Sequence, residues 1–332
     1  MILCKSLEYK ITYDEKLSTN MYILKAIAIF FVICAHCING INLTVDQFLK
    51  FFGTLGVPVF FVLSGYSFDP FDKKKQFWLK KIKMIIVPWL VWGVVTYFTN
   101  IVSNHGIITL GSIVKWILGN GTWLYFVPVL LICFFVFMIS KKLWYVIGLM
   151  ILSLISITLS FAGVIQLQYI TNYLNPINWF FFFGGGILVK SFHLLKILRR
   201  NHILKAGIIS GTIAISIYYF ITNNITYFSP MAVLVESLWS LCLLCLDLSG
   251  SRILEEIGKN TYFIYFFHMQ FGLFFVKFLI AKTISLVIVT HILTVASPLL
   301  CLAICCLSII IIKQFAELIG AYRLLFVIGI KG

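Results

Sequence analysis

The chain has 332 residues, of which 61% are hydrophobic and only 11% charged; its mean hydropathy is +1.04 and its net charge +15. That balance excludes an ordinary soluble domain, whose surface needs far more charge. It fits a protein that spends most of its length inside a lipid bilayer.

Residues 1–20 are polar and contain no apolar h-region, so they are not read as a cleavable signal peptide; the first apolar run is expected to serve as an uncleaved anchor. Apolar runs then recur at 21–40, 48–68, 84–102, 122–139, 143–161, 176–191, 205–221, 229–248, 260–281 and 287–312. Most have about the 20 residues that a helix needs to cross a hydrocarbon core of about 30 Å. Strict alternation is too scarce for an outer-membrane barrel, whose strands need only about ten residues. The expected fold class is an all-α integral membrane protein, a bundle of about ten transmembrane helices with both termini cytoplasmic. Its expected parts are an N-terminal segment 1–20, a membrane domain 21–312 and a C-terminal tail 313–332.

The basic residues follow the same layout. With the N-terminus inside, 21 of the 26 lysines and arginines fall in segments on the cytoplasmic side; Lys50, Lys115 and Lys282 fall outside, and Lys25 and Lys277 within runs. Cytoplasmic enrichment of this kind sets membrane orientation. The positive charge is therefore read as an orientation signal rather than as a nucleic-acid footprint, and the inner loops suit anionic lipid or an anionic ligand.

Cys34 and Cys37, and Cys242 and Cys245, have CxxC spacing, but both pairs sit in apolar runs and are read as small packing residues. No metal site is expected. The stretch FGGGIL, residues 183–188, is read as close helix packing.

Ionisable residues within the runs are the informative ones, because charge in a bilayer is costly. They are Lys25, His36, Glu236, His268, Lys277 and His291. Lys25 and His36 are separated by about 1100° of helical rotation, three turns plus roughly 20°, and so share one face about 16 Å apart. One stripe can therefore hold an anionic tail at its cytoplasmic end and a proton-transfer group deeper in. Alternatively, Lys25 snorkels to the headgroups and His36 is a core residue. The second run, GVPVFFVLSGYSFD at 56–69, gathers Ser64, Tyr66, Ser67 and Asp69 at its inner end. The stretch KKKQFWLKKIKMIIVPW at 73–89 then brings Lys80, Lys81 and Lys83 to the same mouth. Converging ammonium groups suit a multiply phosphorylated ligand.

These elements together resemble the membrane acyltransferase-3 family, whose bacterial members O-acetylate surface glycans. Lys25-x10-His36 stands where that family has an arginine, ten residues and a histidine. FFVLSG (60–65) is similar to its FFxxSG element, Lys80-x-x-Lys83 followed by Pro88 to its RxxR motif, and TWLYFVP (122–128) to its WFL stretch. TYFIYFFH (261–268) is similar to its late tyrosine–histidine pattern. Lysine replaces each expected arginine, which keeps the charge but loses the planar two-pronged fork.

The resemblance implies a multi-pass protein of the bacterial inner membrane that moves an acetyl group from cytoplasmic acetyl-CoA to a hydroxyl of a glycan or lipid-linked glycan, with no permanently bound cofactor. It implies that His36 is general base or transient acetyl carrier and that Lys25 orients the donor. Lys80, Lys81 and Lys83 would hold CoA phosphates, with Ser64 and Tyr66 lining the donor site. Trp123, Glu236 and His268 are pathway candidates, each with a packing or buried hydrogen-bonding role as its alternative. Some relatives continue into an extracytoplasmic domain; this chain ends soon after the tenth run, so direct transfer or hand-off to a separate protein is expected. The rival class is a glycan or lipid transporter or flippase, which would have no evident need for a phosphate-binding mouth.

Overall fold

The computed structural model describes residues 2–69, 74–104, 108–117, 119, 122–140, 142–164, 172–222, 225–248, 250–283 and 285–331. Lys73 and Lys141, counted among the inner-side basic residues above, lie outside them. Among the described residues all regular structure is helical. The first half comprises α1 (Ile2–His36), α2 (Leu43–Tyr66), α3 (Lys74–Lys81), α4 (Val87–Asn104), α5 (Leu110–Ile117), α6 (Phe126–Phe137) and α7 (Leu143–Phe161). The second comprises α8 (Phe180–Ser191), α9 (Leu194–Arg200), α10 (His202–Ile221), α11 (Pro230–Cys245), α12 (Arg252–Lys259), α13 (Thr261–Phe267), α14 (Leu273–Lys282) and α15 (Val287–Leu318).

Among the described residues, seven helical segments are long and apolar enough to cross a membrane, from Ser18–His36 to Val287–Leu318. A further pair, Pro176–Ser191 and Leu194–Arg200, meets at 69°, as in a broken span or a re-entrant loop. His193, in the left-handed region at φ 51°, makes that bend. The runs at 122–139 and 229–248 are helical only over Trp123–Phe137 and Pro230–Cys245. The second, at 16 residues, reaches about 24 Å and falls short of a full hydrocarbon core. All ten apolar runs are thus helical, with seven or eight of full crossing length.

The first helix ends at His36, four residues before the end of its apolar run. Gly40 adopts φ 76°, and the Asp46 carboxylate accepts from the Asn39 N–H at 3.2 Å and the Gly40 N–H at 2.7 Å. Asn42 caps α2 by accepting from the Val45 N–H. Ahead of Pro88, which has no N–H to donate, the chain widens into a π turn over Ile82–Ile86 between α3 and α4. A second π turn, His268–Gly272, joins α13 to α14.

Helices α1 and α2 form the centre, with α8 and α12 packed closely against them. Glycine sets these distances. A Cβ at Gly56 would sit 2.7 Å from the Val32 N, and one at Gly53 would sit 2.7 Å from the Ala35 Cα. On the other face of α2, a Cβ at Gly65 would collide with the Phe183 carbonyl, and one at Gly186 with the Val62 carbonyl. Of the three glycines at 184–186, Gly185 faces open space.

Gly65→Ala and Gly186→Ala should therefore each destabilise the fold, by about 1–3 kcal/mol or more because backbone must move. Gly185→Ala should be near neutral. Thermal unfolding of the three variants in one detergent tests the contact: equal melting temperatures would mean that the α2–α8 backbones do not touch.

Candidate functional site

The stripe from Lys25 to His36 lies on one unbroken helix, and it opens into two cavities. The smaller, about 80 Å³, is lined by Lys25, Ser64, Ser67, Lys81, Tyr262 and Tyr265 among others. The larger, about 460 Å³, is lined by His36, Trp123, Tyr125, Tyr173, Trp179 and Tyr227 among others. Val32 and Val57 line both, so the two spaces meet at a pair of valines. The close α1–α2 approach at Gly53 and Gly56 produces that neck.

In the lysine cavity, Lys25 has its ammonium 5.5 Å from the Tyr22 ring centre and no carboxylate partner among the described residues. Lys80 and Lys331 are close enough to repel its charge. Lys81 stands 4.1 Å over Phe134 and 5.0 Å over Phe77. Of the three lysines in the basic run, Lys81 lines the cavity; Lys80 and Lys83 are exposed nearby, Lys83 at 4.6 Å from the Phe326 ring. Ser64 lines the cavity, whereas Tyr66 packs against the core. Ammonium groups without paired carboxylates around a half-buried space create a positive potential there.

In the aromatic cavity, His36 is half-buried at the last residue of α1. Its ring lies 5.3 Å, centre to centre, from that of His268, which is fully buried. His268 Nδ1 lies 3.0 Å from the Ile264 carbonyl, so in the tautomer that donates there Nε2 carries a lone pair. That Nε2 is buried with no hydrogen-bond partner among the described residues. The π turn beginning at His268 supplies this placement, as such turns do at functional positions.

Tyr125, Tyr173 and Tyr227 form a wall, with ring centres 5.6 Å apart for the first pair and 5.1 Å for the second. Glu236, buried on α11, bears electrostatically on all three tyrosines. Among the described residues its carboxyl has no histidine partner, and the two histidines face each other instead. Burial, then Glu236, pushes the Tyr173 phenol up, and burial, then Tyr173 and Glu236, does the same for Tyr227, so both stay protonated donors at neutral pH. Trp123 lines the cavity and accepts, at its carbonyl, a hydrogen bond from the Tyr265 hydroxyl. Tyr265 itself lines the lysine cavity, so this bond ties the two spaces together.

A family model described as an acyltransferase domain, Acyl_transf_3, matches residues 20–313. The chain belongs to this acyltransferase family. The match takes in both cavities and every helix that forms them. No curated protein and no solved structure matches the chain significantly. The two cavities share Val32 and Val57 and differ in chemistry, with lysines in one and aromatic rings and a histidine in the other.

Sequence reasoning missed Tyr262 and Tyr265 as lining residues, although both lie in the stretch TYFIYFFH. It also missed Tyr125, Tyr173 and Tyr227, whose loop and helix-end positions carry no periodic signal. Lys277 is exposed and bears electrostatically on His36. Tyr265→Phe should free the Trp123 carbonyl and cost about 1 kcal/mol. Thermal unfolding followed by tryptophan fluorescence measures this, and an unchanged transition would show that the bond does not hold the neck.

Proposed function

We propose that this acyltransferase is a ten-crossing protein of the bacterial inner membrane, N-terminus in the cytoplasm, that transfers an acetyl group from cytoplasmic acetyl-CoA to a hydroxyl of a surface glycan. The observation that carries the reading is the pair of cavities joined at Val32 and Val57, with Lys25 in one and His36 in the other. The lysine cavity suits the donor. Its cations pair with phosphate while the thioester arm enters the narrow space. The aromatic cavity suits the acceptor: its volume is within the usual range of about 300–1,000 Å³ for a small-molecule site. Tyrosine and tryptophan rings offer faces for the C–H side of a sugar and polar edges for its hydroxyls.

In this reading the thioester carbon lies at the valine neck. His36 takes the proton of the acceptor hydroxyl as its oxygen forms the new bond to the acyl carbon. The carbon–sulfur bond breaks, and the CoA thiolate leaves and is protonated. Lys25 holds the donor's charge on the same helical face, so the acyl carbon and the base are set by one rigid element. His268, beside His36 and buried, orients the base.

The test is acetyl-ester analysis of surface polysaccharide from a deletion strain, then from the same strain complemented with variants. The deletion should remove an acetyl ester that wild type restores and His36→Ala does not, with a loss of at least about 100-fold in transfer. Lys25→Arg should retain activity, whereas Lys25→Ala should weaken donor use. Full acetylation by His36→Ala would remove the catalytic assignment, and an unchanged deletion strain would remove the function.

Val57→Phe should narrow the neck without touching the lysines. Transfer should fall at least tenfold while CoA affinity in neutral-lipid nanodiscs stays within about twofold. Equal loss of both would mean that the valines belong to the donor site rather than to the passage between the two.

A further inference from the structure

The segment after α15 was expected to be a tail; it is packed into the basic mouth. The chain turns at Gly320, forms a 3₁₀ turn over Tyr322–Ile328 and runs back across the bundle. Leu325 and Ile330 are buried. The Trp92 indole N–H donates to the Ile328 carbonyl at 2.9 Å, and the Lys331 N–H donates to Asn260 Oδ1 at 2.9 Å. Gly329, at φ 85°, passes so near α13 that a Cβ there would lie 3.1 Å from the Phe263 N. The backbone on which Lys331 stands is thus fixed by side chains of α4 and of the α12–α13 junction.

Its ammonium is fixed too. Lys331 Nζ donates to the Tyr22 hydroxyl at 2.7 Å and lies 4.7 Å from that ring's centre. The Lys25 ammonium stands 5.5 Å from the same ring centre, and that of Lys259 6.0 Å. These three differ in one respect. Lys259 is balanced by Glu255 at 2.9 Å and Glu256 at 2.8 Å, whose hydrogen bonds push its pKa up to about 12. Lys25 and Lys331 form no ion pair among the described residues, although Glu256 bears electrostatically on Lys331, and Lys80 adds a third like charge near Lys25. Like charges held this close without a counter-ion repel, and a bound polyanion removes the repulsion.

We propose that Lys331 is a phosphate ligand of the donor site, so that the folded-back C-terminal segment and α1 grip a nucleotide-linked polyphosphate from two sides around Tyr22. The inference rests on the donor reading above and extends it to a segment outside the matched family region. Tyr22 spaces the two ammonium groups, and Lys331 lies on the exposed side, where a ligand from the aqueous phase first meets the protein. Lys80 and Lys81 face the same anion from α3.

The test is calorimetric titration of CoA, and separately of inorganic pyrophosphate, into the full chain in neutral phosphatidylcholine nanodiscs. Lys331→Ala should weaken CoA about tenfold, Lys331→Arg should stay within about threefold of wild type, and both should melt like wild type. If pyrophosphate binds and Lys331→Ala weakens it while CoA does not bind wild type, the anion site stands and the donor reading falls. Equal affinity of wild type and Lys331→Ala for both probes, or no binding of either, overturns the proposal. So does an effect confined to titrations with phosphatidylglycerol, which would make Lys331 a lipid contact.

Discussion

The architecture depends on backbone meeting backbone. In a bilayer the hydrophobic effect does not drive helices together, so association rests on how closely they can pack. Gly53 and Gly56 let α2 lie directly on α1, Gly65 and Gly186 let α8 lie on α2, and Gly258 lets α12 lie on α1 at the Tyr22 carbonyl. The last of these has a functional result: the residue after Gly258 is Lys259, so the close approach also brings its ammonium and the two glutamates that balance it to Tyr22. Without these approaches the Val32–Val57 neck would open and the lysine and aromatic spaces would merge.

The helices were readable from sequence because apolar length is a local property, and all ten runs are helical. The Lys25–His36 stripe was readable for the same reason: an unbroken helix makes eleven residues a fixed rotation. The lysines of α3 were not, because the π turn at Ile82–Ile86 breaks the regular rotation between them and α4, and it is Lys81 that reaches the cavity. Contacts between distant parts of the chain were also hidden. Lys331 and Tyr22 are 309 positions apart, and no local pattern in the last ten residues marks them as part of the bundle. Glu236 carried a true signal, a carboxyl buried in an apolar helix, but its neighbours are tyrosines contributed by a helix end and two loops.

The basic mouth illustrates how a fold keeps a cost for use. Charge gathered on one ring lowers the stability of the empty protein, and the surrounding scaffold, with Trp92, Asn260 and Gly329 holding the C-terminal segment, makes up the difference. At Lys25 and Lys83 the ammonium stands near an aromatic ring, where a compact point charge needs less room than a guanidinium fork. The arrangement then relies on several point charges rather than on a few two-pronged contacts.

The valine neck has an electrical meaning as well as a steric one. A passage that opened to water from both sides would short-circuit the membrane it sits in. In the proposed reading, with the two cavities opening to opposite sides of the bilayer, the two apolar side chains they share keep water, and therefore ions, from forming a continuous column. Each elementary charge forced across such a barrier works against about 2.3 kcal/mol per 100 mV of membrane potential. An acyl group is neutral and crosses without that cost, whereas the phosphates of its carrier do not. In the proposed reading the same pair of valines would insulate the membrane, passing the acyl group and holding back its carrier.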